Sequence, residues 1–155
     1  MTHDEDVALF IERLGTTLTS LGMQRVPARV FAALMADEDG RMTSAELTGA
    51  LRLSASSVSG AVRYLSEMRM IHREREPGTR RDVYVVAQDQ WHYTLLGADQ
   101  IYGRLKSAFA GGVAAVGGAD SPAGARLETS VRFLDFITTE MKGIAERWEA
   151  LETGS

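Results

Sequence analysis

Seven arginines fall between positions 52 and 81 (Arg52, Arg63, Arg69, Arg73, Arg75, Arg80 and Arg81), against three acids, Glu67, Glu74 and Glu76. That segment carries a balance of +4, the remainder of the chain −8, for a net charge of −4. Guanidinium groups are planar forks that pair two-pronged with phosphate oxygens or with the O6/N7 edge of guanine. An acidic chain repels a polyanion as a whole, but a basic patch segregated on it attracts one locally. Small hydroxyl side chains stand in the same stretch: Ser54, Ser56, Ser57 and Ser59, followed by Gly60. They let a backbone come close and donate hydrogen bonds to phosphates or bases. A solvated charged hairpin would show the same charges, so the elements that carry them decide between the two.

Val7, Phe10, Ile11, Leu14, Leu18 and Leu21 recur at three- and four-residue steps and predict an amphipathic helix over residues 4–21. Gly22 ends it, and Pro27 suits the first turn of a helix over 27–36 that buries Val30, Phe31 and Leu34. After the turn Asp37-Glu38-Asp39-Gly40, the run Thr43-Ser44-Ala45-Glu46 is a capping box. It opens a short helix through Leu51, with Leu47, Ala50 and Leu51 inward. Ser54 then caps a helix over 55–68 whose apolar stripe is Val58, Ala61, Val62, Leu65 and Met68. Two short helices joined by a tight turn make a helix-turn-helix. The two β-like segments, 70–76 and 83–87, flank Pro77-Gly78-Thr79-Arg80-Arg81-Asp82, a hairpin with a basic tip that reads as a wing.

A long helix over 89–110 follows, with Trp91, Leu95, Ile101, Tyr102, Leu105 and Phe109 on one side. Gly111-Gly112 and Gly117-Gly118 read as a flexible link, and Ser121-Pro122 restarts a helix. Its apolar residues are Leu127, Val131, Leu134, Ile137, Met141, Ile144, Trp148 and Leu151, a near-heptad seam that must be buried. A second copy of the chain is the expected cover, with Phe10 and Leu14 of the first helix joining the interface. Packing against the first helix of the same chain is the alternative. The expected fold is mostly α with a small β-hairpin (α+β): a winged helix-turn-helix with N- and C-terminal dimerisation helices. Its parts are residues 1–21 (dimerisation), 22–88 (winged helix-turn-helix) and 89–155 (dimerisation).

In a helix-turn-helix the second helix enters the major groove, so Ser56, Ser57, Ser59, Gly60, Arg63 and Tyr64 are the expected readers. Arg63 is the candidate for a guanine edge, its alternative being an ion pair with Glu67. Tyr64 lies against phosphate or over the core. Arg80 and Arg81 would reach an adjacent minor groove or its phosphates, unless they pair with Asp82. Arg73 and Arg75 are phosphate candidates on the stem. Thr43 and Ser44 begin a helix whose N–H groups can face a phosphate, although capping alone accounts for them. Trp91, His92 and Tyr93 either line an effector pocket or pack a hinge.

Other chemistries find little support. There is no cysteine, which excludes disulfides, thiolate metal sites and thiol redox switches and fits a cytoplasmic protein. Asp37, Asp39, Gly40 and Glu46 match part of a calcium loop, but its first ligand would be Met35. His3, His72 and His92 lack the spacing of a zinc site, and no phosphate loop, nucleophile elbow or cofactor motif occurs. The longest uncharged run, residues 107–119, is too short to span a bilayer.

The pattern Leu53-Ser-x-x-x-Val58-Ser59-x-x-Val62-x-x-Leu65, followed by an arginine-bearing hairpin, resembles the MarR superfamily of transcriptional regulators. The preceding Leu21-Gly-Met-Gln-Arg25-x-x-x-Arg29-Val-Phe-x-x-Leu34 is similar to its GbsR-like branch. The resemblance covers residues 14–91. It implies a homodimeric winged-helix regulator, a repressor on a palindromic operator of double-stranded DNA, released in many relatives by a small-molecule effector. The wing departs from the common Asp-x-Arg-Arg form, with Pro77-Gly78-Thr79-Arg80-Arg81-Asp82 in its place. A winged-helix module that binds protein instead of DNA is the alternative; its working face would favour aromatic and aliphatic residues over arginine and serine.

Overall fold

The computed structural model describes residues 2–86, 91–92 and 99–154. They belong to two units, residues 1–91 and 92–155.

The first unit opens with α1 (His3–Ser20). Thr2 and Glu5 form a reciprocal capping box, and Asp4, Glu5 and Asp6 set negative charge against the positive end of the helix dipole. α2 (Arg25–Ala36) is buried over five successive residues, Val30 to Leu34, as befits a helix enclosed on all sides. α1 crosses it at Gly15, which lies against the Arg29 stem. The Arg29 guanidinium donates twice, at 3.0 and 2.8 Å, to one Glu12 carboxylate oxygen.

Then come β1 (Arg41–Thr43), α3 (Ser44–Leu51), α4 (Ala55–Glu67), β2 (Ile71–Arg75) and β3 (Asp82–Val86). The strands form one antiparallel sheet in the order β1-β3-β2. The expected hairpin is therefore there, but it is two-thirds of a sheet: Arg41, Met42 and Thr43 pair with Val85, Tyr84 and Val83. Three residues are too few for strand alternation to show in a sequence. The turn before β1 positions it, because the Asp37 carboxylate accepts the N–H groups of Asp39 and Arg41. Leu34, Leu47, Val58, Leu65 and Ile71 are fully buried, so α2, α3, α4 and β2 share one core. Ala50, expected inside, is exposed.

In the second unit the described helices are α5 (Asp99–Gly112) and α6 (Pro122–Thr153). Residues 89–90 and 93–98 of the long helix expected over 89–110, Leu95 among them, lie outside the described residues. The glycine-rich link is a hydrogen-bonded turn and not open chain. Gly118 N–H donates to the Val113 carbonyl at 2.9 Å, and the Ser121 hydroxyl sits within 2.9 Å of the Val116 and Gly118 carbonyls. The same hydroxyl caps α6 by accepting the Gly124 N–H at 2.9 Å. A β-carbon at Gly124 would fall on the Gly118 carbonyl oxygen. Gly124→Ala should therefore displace the turn and cost roughly 2–4 kcal/mol, a lowered unfolding transition in calorimetry. An unchanged transition would mean that the turn yields freely.

The seam read along α6 proves to be two stripes. Leu127, Val131, Leu134, Thr138, Met141 and Ala145 are buried or half-buried, and this stripe faces α5. Gly112 lies beside Leu127, and Lys106 pairs with Asp135. That antiparallel register puts the start of α5 opposite about residue 141 at 1.5 Å rise per residue. The other stripe, with Phe133, Phe136, Ile144, Trp148 and Leu151, is exposed. So the run of apolar positions from 127 to 151 begins on the inner stripe and ends on the outer one.

Candidate nucleic-acid interface

Ser54 starts α4: its hydroxyl accepts the Ser57 N–H at 3.1 Å and lies within hydrogen-bond distance of the Ser56 and Ser57 hydroxyls. Val58, Ala61, Val62 and Leu65 face the core, which turns Ser56, Ser59, Gly60 and Arg63 outward. Ser57 is half-buried. At Gly60 an added β-carbon would meet nothing within 4 Å, so close packing on a neighbouring helix does not account for this glycine. It costs the helix about 1 kcal/mol relative to alanine and leaves a shallow place on the outer face. Arg63 is exposed and makes no ion pair among the described residues, so the alternative pairing with Glu67 is not formed. Tyr64, by contrast, packs against the core.

The sheet sorts the charges of the wing stem. Side chains alternate across a strand, so Arg73 and Arg75 share one face of β2 and His72 and Glu74 the other. On that second face Glu74 takes a 2.8 Å hydrogen bond with His72 Nε2 and an ion pair with Arg41 at 3.4 Å. The His72 hydrogen bond outweighs desolvation and, with the charges of His72 and Arg41, lowers the Glu74 pKa from its usual value. The acid between the stem arginines is thus neutralised away from them. Arg41 escaped the sequence reading because it lies outside the arginine-rich segment and on the unrecognised strand. Arg63, Ser59 and Ser66 of α4 and Arg73 and Tyr84 of the sheet line a common open groove.

At the wing tip, Glu76 N–H donates to the Arg81 carbonyl at 2.9 Å, and Gly78 has φ +76°. Asp82 pairs with Arg73 at 3.8 Å, not with the tip, and Arg81 approaches Glu76 only to 3.9 Å. Arg80 is exposed and has no ion pair among the described residues. Arg75 is likewise exposed.

Three groups of expected site residues fare differently. Thr43 is 5% exposed, with its hydroxyl and N–H both engaged by Glu46, and so offers little to a ligand; Ser44 is half-buried. Trp91 packs edge-on against Phe31 at 6.0 Å in the first unit, and His92 meets Trp148 at 5.5 Å in the second. Tyr93 lies outside the described residues. Of the interface candidates, Leu134 is 6% exposed within its own unit, and Leu127, Val131, Ile137 and Met141 are half-buried. Phe10 is 48% and Ile144 44% exposed, and Leu14 is half-buried. Phe133 and Phe136, which the single-seam reading passed over, are more exposed than any of these. Among the described residues no group of three His, Asp or Glu side chains could hold a metal, and no helix is long and apolar enough to cross a membrane.

Two family models match. Residues 21–82 fit one described as MarR family, and residues 89–152 one described as MmpR5-like MarR family transcriptional regulator. No curated protein matches. Among solved structures, one described as the crystal structure of a transcriptional regulator superposes with a TM-score of 0.81 at 22% identity. The match covers 93% of this chain and 98% of that one, and shows the fold. The transcriptional regulator Tm0710 from Thermotoga maritima matches at 18% identity over 94% of this chain and 93% of its own, with a TM-score of 0.41, too low to carry an argument. A three-stranded winged helix with an outward basic face, matched on either side of residues 83–88 by models of one family, leads to a single assignment: the chain belongs to the MarR family of transcriptional regulators.

Proposed function

We propose that this DNA-binding regulator is a homodimeric repressor in the cytoplasm that lays α4 of each protomer in successive major grooves of a palindromic operator. The observation that carries the reading is the outer face of α4: exposed Ser56, Ser59 and Gly60 beside Arg63, a guanidinium with no ion pair among the described residues. An unpaired fork on a groove-sized helix can take a guanine edge without first breaking a salt bridge. Arg80 and Arg81 then lie at the adjacent minor groove or its phosphates, and Arg73 and Arg75 along the backbone. Residues 22–88 are the reading head, residues 1–21 and 89–155 the dimerisation parts. The residue pattern over 21–34 supports a GbsR-like head, and release from the operator by a small-molecule effector belongs to the same reading. The exposed stripe of α6 supports the dimer.

Selection of duplexes from a random-sequence library tests this. The expected product is an inverted repeat with half-sites about 10–11 base pairs apart, or a multiple of that. Its affinity should fall steeply with salt as counterions are released. Enrichment of no sequence by a folded dimer would overturn the DNA reading.

A further inference from the structure

Resting on the DNA-binding reading, we propose that Arg52, in the turn of the helix-turn-helix, is a phosphate contact that anchors the start of α4. Among the described residues other than glycine, two have positive φ: Arg52 at 53° and Arg69 at 58°. At each, a helix closes over the left-handed residue. Leu53 N–H donates to the Thr48 carbonyl at 3.2 Å, and Met70 N–H to the Leu65 carbonyl at 2.9 Å. Glycine or asparagine is the usual occupant of such a position, because a β-carbon there crowds the following carbonyl.

An arginine at that place is disfavoured by its own backbone, and the protomer returns little for it. Arg52 is exposed, and its guanidinium makes neither an ion pair nor a hydrogen bond among the described residues. Its charge near the C-terminus of α3 recovers a part of the cost, but Arg69 after α4 gains the same benefit. What separates the two is position. Arg52 stands two residues before the Ser54 cap of α4, and the first-turn N–H groups of Ala55 and Ser56 have no acceptor within that helix. Arg69 lies beyond the other end of α4, about 20 Å away at 1.5 Å per residue. The N-terminal end of a recognition helix is the one that meets the duplex. Both a guanidinium and free helix N–H groups suit the chemistry of a backbone phosphate.

The test uses the full chain, the duplex enriched by selection and an unrelated duplex of equal length, with Arg52→Asn, Arg52→Lys and Arg69→Asn compared. Arg52→Asn should weaken binding to both duplexes about tenfold and lower the salt slope by about 0.9 per protomer, near 2 per dimer. Its melting temperature should hold or rise by about 2–4 °C, since asparagine tolerates the left-handed backbone. Arg52→Lys should restore the slope, and Arg69→Asn should keep the wild-type slope throughout. Wild-type binding and slope in Arg52→Asn, while the unaltered protein still enriches a sequence, would overturn the contact and leave the DNA reading standing. Equal losses in Arg52→Asn and Arg69→Asn would reduce Arg52 to general charge and overturn it as well. Failure of the unaltered protein to enrich any duplex would remove both readings together.

Discussion

Arg63→Ala should cut the preference for the selected operator over a single-base variant by roughly 10- to 100-fold, the 1–3 kcal/mol of one two-pronged guanine contact. Because Arg63 is exposed and holds no partner in the protomer, its removal orphans nothing. Stability should stay within about 0.5 kcal/mol, so a binding loss cannot be charged to unfolding. The Arg80→Ala/Arg81→Ala pair should behave differently. It should weaken every duplex alike and flatten the salt slope by about 0.9 for each lost phosphate contact. Competition binding across single-base operator variants at several salt concentrations distinguishes the two signatures. Both variants binding like wild type would move the reading surface elsewhere.

Phe133→Glu combined with Phe136→Glu should dissociate the proposed dimer in sedimentation experiments, leaving a folded chain near 16.9 kDa. These rings are 60% and 64% exposed, so the protomer does not depend on them. Each phenyl fully buried at an interface contributes roughly 1.5–3 kcal/mol, and a symmetric dimer loses four at once. Leu134→Glu makes the contrast. That side chain is 6% exposed against its own unit, and a carboxylate placed there should unfold the unit before it separates any partner. Circular dichroism beside sedimentation separates the outcomes. A dimer mass unchanged by the phenylalanine pair would place the interface on another surface.

Much of the first unit was legible because local rules carry it. The Thr43-to-Glu46 capping box and the Ser54 cap mark helix starts that the structure keeps to the residue. The apolar stripe of α4 names its buried face from Val58 to Leu65, with Met68 at the C-cap exposed instead, and the outward serines follow by elimination. Tyr64 could not be decided that way: at the edge of the stripe, either side of the helix suits an amphipathic ring, and only the packed core assigns it. β1 was invisible because three residues carry no periodicity, and with it went the Arg41–Glu74 pair that occupies Glu74 on the face opposite Arg73 and Arg75.

The long last helix shows where reading along a chain fails. A helix with apolar residues on two adjacent stripes presents three- and four-residue steps whichever stripe is followed, so spacing alone joins them into one seam. Composition and caps determined that α6 exists and where it starts, and the charge segregation between residues 52 and 81 determined which segment can face a polyanion. Which stripe the protomer keeps for itself depended on α5 folding back through the turn at Gly117 and Gly118, and which arginines stay unpaired depended on strand register. Both are contacts between residues distant in sequence, and no local propensity encodes them.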